Sequence, residues 1–82
     1  MTVRIEFTVE PFDDGKPGPH VEAAISAARS VSGVEVEVGP FGTSLFGPTA
    51  LAMAALQGAT VAAFGAGATR VSSQVVREET RP

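Results

Sequence analysis

No Asp, Glu, Lys or Arg occurs in residues 38–69. This stretch constrains the fold more than any other feature of the chain. It holds two turn signals, Gly39-Pro40 and Gly47-Pro48, with a short strand-like run at 43–46 between them. An Ala-rich run at 49–64 follows and reads as a helix. An uncharged strand that leads into an uncharged helix is suited to being covered on more than one side. At 82 residues the chain is short, and a domain of this size buries only about 60% of its unfolded surface. It has no cysteine, so no disulfide or thiolate metal site adds stability. Association with further copies is the remaining common source of buried area, so a homo-oligomer is expected.

The formal net charge is −3 and the six basic residues are scattered. A nucleic-acid backbone needs clustered Lys and Arg, so no nucleic-acid partner is expected. The first residues, Met1-Thr-Val-Arg-Ile-Glu, lack the basic-then-apolar order of a signal peptide. The Ala-rich run is broken by Gln57, Gly58, Thr60, Gly65 and Gly67, whereas a membrane span needs about 20 mainly apolar residues. The reading is a soluble, cytoplasmic protein with no membrane partner, folded as a single domain over residues 1–82.

Residues 3–12 alternate, with Val3, Ile5, Phe7 and Val9 on one side and Arg4, Glu6, Thr8 and Glu10 on the other. That is a strand with one apolar face, and Pro11 ends it. Residues 13–18 are dense in Asp, Gly and Pro and predict a turn. Pro19 suits a first helical position, and Glu22 suits the first turn. Val21, Ala24, Ile25, Ala28 and Val31 recur at helical spacing, and Gly33 is the expected C-terminal cap. Residues 34–38 alternate again, and 43–46 return antiparallel through the turn at 39–42. The second helix ends near Gly65 or Gly67, residues 69–77 form the last strand, and 78–82 make a charged tail.

The order strand, helix, strand, strand, helix, strand predicts an α+β, ferredoxin-like βαββαβ sandwich. Its antiparallel sheet runs in order 4-1-3-2, with both helices on one face. The open face then carries Arg4, Glu6, Thr8, Glu10, Glu35, Glu37, Arg70, Ser72 and Gln74, joined by parity with Ser44 and Phe46. A solvated face is the ordinary outcome for such residues. The alternative is a subunit interface holding a ligand. Carboxylates beside hydroxyls and an aromatic ring suit a cationic, ring-shaped ligand.

Signals for catalysis are poor. His20 is the one histidine, so a nucleophile–base dyad of the common kind has to be built on it. At a helix start it reads as a turn residue whose loss costs little. Asp13, Asp14 and His20 lack metal-ligand spacing. Gly65-Ala-Gly67 follows a helix rather than a strand, which is the wrong context for a dinucleotide fingerprint. The chain therefore reads as a non-enzyme with no cofactor and no metal site.

Several short runs, in this order and spacing, resemble one family. They are Glu10-Pro11 closing the first strand, Pro19-His-Val at the helix start, and Gly39-Pro-Phe-Gly-Thr43. Gly47 before the second helix and Gly67-Ala-Thr-Arg-Val71 entering the last strand complete the set. Together they are similar to the small thiamine-binding proteins of the YkoF-like group, over nearly the whole chain. The resemblance implies a ferredoxin-like domain that forms dimers and tetramers. It also implies non-catalytic binding of thiamine or its hydroxymethylpyrimidine part. Thr43 is the first position it carries over. Gly39, Phe41 and Ser44, with Thr8 and Glu10 on the adjoining strand, complete the expected site, and Glu10 is the expected counter-ion for a thiazolium ring. The chain departs from the family pattern at Phe46, where many members carry a carboxylate, and along the uncharged second helix. The second reading is a structural assembly domain whose open face is only an interface.

Overall fold

The N-terminal strand decides where the core sits. Its four alternating apolar residues, Val3, Ile5, Phe7 and Val9, are all buried. The computed structural model describes residues 1–12 and 17–78. The elements are β1 (Thr2–Glu10), α1 (Pro19–Arg29), β2 (Glu35–Val38), β3 (Thr43–Pro48), α2 (Thr49–Gly65) and β4 (Arg70–Arg77). The sheet is ordered β2-β3-β1-β4, and every pair is antiparallel. This is the βαββαβ ferredoxin-like arrangement with the expected strand order. The predicted turn residues 13–16 and the tail from 79 lie outside the described residues.

β1 is central, and Ile5 pairs with Leu45 of β3, both fully buried. The helices close this side of the sheet with Ala24 and Ala28 of α1 and with Ala52, Ala55, Leu56, Ala59 and Ala63 of α2. Small residues let the helices approach the strands, so the core is thin and its bulk comes from β1, Leu45 and Leu56. Within the expected α1 stripe, Val21, Ile25 and Val31 are only half-buried. Coverage fades toward the sheet edges, where Val38 and Val75 are exposed.

Helix boundaries follow local chemistry. Pro19 occupies the first position of α1, and the Gly18 carbonyl accepts from the amides of Val21 and Glu22 at 3.1 Å each. α1 stops at Arg29, earlier than the Gly33 cap predicts. Gly33 instead lies in the turn before β2 at φ +88°, where a Cβ would meet Leu51 Cδ1 at 2.9 Å. α2 closes with the cap that its sequence advertises. The Ala68 amide donates to the Ala63 carbonyl at 2.9 Å and the Gly67 amide to the Phe64 carbonyl at 3.3 Å, with Gly67 at φ +106°. This double bond is a Schellman motif, which needs a left-handed residue at Gly67.

β3 runs to Pro48, two residues beyond the predicted end. Gly47 is thus a strand residue rather than a turn residue. It pairs with Val3, and a Cβ on it would lie 2.9 Å from the Gly33 carbonyl oxygen. The crossing of the 33–34 turn over the strand is what requires glycine there. β2 reaches only to Glu35 opposite Phe46, so Pro48 sits where β3 no longer has that neighbour to serve.

His20 is a buried side chain, 5% exposed, and not the turn residue that its position suggests. Its Nε2–H donates to the Pro11 carbonyl at 2.6 Å. That bond ties the start of α1 to the residue just past the end of β1. Breaking it by His20→Ala removes a packed ring and a short hydrogen bond. We expect a loss of about 1–2 kcal/mol in urea denaturation. A midpoint unchanged from the parent would mean that the ring does not hold this end of the sheet.

Candidate functional site

The strand register places the open-face residues as neighbours. Glu6 sits between Ser44 on one side and Gln74 on the other. Thr8 faces Ser72, and Glu10 faces Arg70. Phe46 lies between Arg4 and Glu35, and Ser44 lies between Glu6 and Glu37, so both belong to this face as parity predicted.

The hairpin loop at 39–42 gives the face its relief. The Gly39 amide donates to the Gly42 carbonyl at 2.8 Å and pinches the loop shut. The loop leans back on β1: a Cβ on Gly42 would lie 3.0 Å from the Phe7 carbonyl oxygen and 3.2 Å from the Thr8 Cγ2. Gly42 is not among the glycines of positive φ, so its role is close approach rather than a special turn angle. A cleft of about 800 Å³ lies against the loop, lined also by Glu6, Phe7, Thr8, Thr43, Ser44 and residues 72–74. On the helix side of the same loop is a second cleft of about 400 Å³, walled by Phe7, Val9, Phe12, Val21, Ile25 and Val38 among others. The loop is therefore a partition, and Phe41 at its tip is 84% exposed.

Five of the six expected site residues come together here. Thr8, Gly39, Phe41, Thr43 and Ser44 all line the larger cleft. Thr43 pairs with Phe7, is buried, and forms part of the wall of both clefts. Glu10 lies outside both linings, beyond Thr8 on β1. Its carboxylate accepts from Arg70 Nε at 2.6 Å, and its carbonyl accepts from the Thr69 amide at 2.7 Å. Glu10 thus fastens the start of β4 to the end of β1. The expected counter-ion already has a cation from its own chain.

The carboxylate in the larger cleft is Glu6. Among the described residues it pairs with Arg4, 3.8 Å away, and both side chains are about half exposed, so this pair contributes little. Ser72 and Gln74 join it from β4. Sequence parity placed all three on the open face, but ranking them needed the β1–β4 register and the lean of the loop. The resulting set is one carboxylate, the hydroxyl-bearing residues Thr8, Thr43, Ser44, Ser72 and Ser73, the Gln74 amide, and an aromatic ring at the rim. It offers hydrogen-bond acceptors and donors to a polar heterocycle and one negative charge to a cation. No histidine stands among these hydroxyls. His20 lines neither cleft, and its Nε2 is bonded to Pro11. Among the described residues no cluster of His, Cys, Asp or Glu could hold a metal ion, and no helix is long and apolar enough to cross a membrane.

The family model for thiamine-binding proteins matches residues 5–81. The chain belongs to the thiamine-binding protein family. Solved structures agree on the fold. A Bacillus cereus domain of unknown function (DUF77) is 30% identical, with a TM-score of 0.57 over 99% of this chain and 77% of that one. A candidate thiamine biosynthesis/salvage protein from Thermotoga maritima is 23% identical, with a TM-score of 0.66 over 95% of this chain and 85% of that one. A hypothetical protein from Methanocaldococcus jannascii is 22% identical, with a TM-score of 0.70 over 98% and 81%. The comparison with curated proteins gives no match. Membership carries the fold and a thiamine-related binding role. The residues that line the cleft bear on how this chain performs it.

Proposed function

We propose that this protein binds thiamine, or a compound carrying its hydroxymethylpyrimidine ring, in the cleft between the 39–42 loop and the open sheet face, without catalysing a reaction. The observation that carries the reading is the gathering of Thr8, Phe41, Thr43 and Ser44 around one cleft in a chain of this family. Thr8, Ser44, Ser72 and Gln74 orient the pyrimidine through hydrogen bonds. Phe41 supplies a face for the ring, and Glu6 balances the thiazolium charge. The cleft opens along the sheet face, so a second subunit laid across that face would close it and exclude water. A carrier or sensor role fits a binding site with no reactive dyad.

The test is a thermal-shift series with thiamine, thiamine diphosphate and free hydroxymethylpyrimidine. A ligand at 100 times its dissociation constant adds about 2.7 kcal/mol, several degrees for a domain of this size. We expect thiamine and the free pyrimidine to raise Tm, and Ser44→Leu to abolish both shifts while leaving the unliganded Tm close to the parent. No shift with any of the three would favour the reading in which the open face serves assembly alone.

A further inference from the structure

We propose that a second copy of this chain packs antiparallel against the outer face of α2, about a two-fold axis that passes beside Gln57. The inference concerns the side of the molecule away from the open sheet face and does not depend on the ligand reading. α2 turns Ala52, Ala55, Leu56, Ala59 and Ala63 toward the core. On its other side, Met53 is 42% exposed, Val61 68% and Phe64 51%. Ala50, Ala54 and Gln57 are exposed beside them. Positions 50, 54, 57, 61 and 64 alternate in steps of four and three, which is the spacing of a helix-pairing seam. No acidic or basic residue occurs anywhere in α2, so nothing on this face repels a second copy. The same lack of basic residues sets it apart from a helix that lies on a membrane surface.

The occupant follows from the order of residues along the seam. Gln57 is the one amide on the helix and stands at the midpoint of Thr49–Gly65. When two identical helices pair antiparallel about a two-fold axis, the midpoint of each meets itself. Gln57 then meets its own copy, and a side-chain amide is self-complementary because it both donates and accepts. The flanking positions match by size. Phe64 falls opposite Ala50, so the largest side chain of the seam meets a small one, and Val61 falls opposite Met53 as an apolar pair. A parallel pair would instead set Phe64 against Phe64 and leave the Ala end hollow. A lone polar residue in an apolar seam fixes register and orientation in this way. Seventeen residues make a helix about 25 Å long, and the seam positions 50 to 64 run along nearly all of it.

The chain has no native cysteine, so single thiols report the pairing directly. Gln57→Cys should be joined into a covalent dimer by a short bis-maleimide at micromolar protein. Ala50→Cys should react at least tenfold less, while the double variant Ala50→Cys/Phe64→Cys regains the crosslink. In sedimentation, Val61→Glu should halve the mass of the assembly, and the parent's association should hardly change between low and high salt because the seam is uncharged. Val61 is exposed, so this variant keeps its fold by circular dichroism. Equal crosslinking of Gln57→Cys and Ala50→Cys would overturn the antiparallel register. An unchanged mass for Val61→Glu, or no crosslink at Gln57→Cys, would overturn the interface itself.

Discussion

Gly42→Val should be the most damaging single change at the candidate site, lowering stability by about 2–3 kcal/mol and Tm by roughly 10 °C or more. The first added atom already stands 3.0 Å from the Phe7 carbonyl oxygen and 3.2 Å from the Thr8 methyl. The Phe7 oxygen does not give way cheaply. Phe7 is buried in the centre of the sheet, and its carbonyl is backbone. Valine adds two further methyls at the same point, so the 39–42 loop must lift off β1. Lifting it opens the partition between the two clefts, and ligand binding should fall together with stability. Gly65→Ala is the matched control, because nothing lies within 4 Å of its added Cβ at the end of α2. That change should be neutral or slightly stabilising. Differential scanning calorimetry of the two variants separates the effects. A Gly42→Val protein that melts with the parent would show that the loop does not rest on β1.

Much of this architecture was legible because it rests on local periodicity. The apolar side of β1, the proline that opens α1 and the glycine that closes α2 are each written in a few adjacent residues. What escaped the sequence depends on distant segments meeting. Gly47 reads as a turn glycine until the 33–34 turn is seen to cross it. Gly33 reads as a helix cap until Leu51 is seen beside it. Gly42 reads as a hairpin-turn glycine. The turn is there, but the need for glycine comes from Phe7 and Thr8, over thirty positions earlier in the chain. His20 offered no signal of burial, since a lone histidine after Pro19 looks like any helix-start residue. Its partner is the Pro11 carbonyl, across a stretch dense in Gly, Pro and Asp. The candidate site shows the same division. Thr8, Thr43 and Ser44 were reachable from parity and resemblance, whereas the choice between Glu6 and Glu10 turns on the side chain of Arg70 from the opposite end of the chain.

Glu6→Gln is therefore expected to weaken thiamine by about 2 kcal/mol, near 30-fold, while Glu10→Gln changes it by less than threefold. Thiamine carries a permanent positive charge on its thiazolium ring, and placing that charge in a closed cleft without an anion is costly. By sequence Glu10 is the expected counter-ion, because it ends the central strand on the open face. Its carboxylate is held at 2.6 Å by Arg70, however, and a ligand cation would have to displace that guanidinium. Glu6 is held more loosely among the described residues: Arg4 stands 3.8 Å away with both groups half in water. The lower end of the range for truncating a charged pair applies because the Glu6 side chain is 53% exposed before a ligand arrives. Glutamine keeps the size and the hydrogen-bonding oxygen, so the neutral hydroxymethylpyrimidine should bind Glu6→Gln as it binds the parent. Glu10→Gln should instead show itself in stability, by up to about 1 kcal/mol, because it loosens the clasp between β1 and β4. Calorimetric titration of both ligands against the three proteins reads these outcomes apart. A loss confined to thiamine in Glu6→Gln places the thiazolium beside Glu6. Equal loss of both ligands in that variant would mean that Glu6 shapes the cleft rather than balancing charge. A thiamine-specific loss in Glu10→Gln would show that Arg70 swings away on binding and that the charge sits at the strand end.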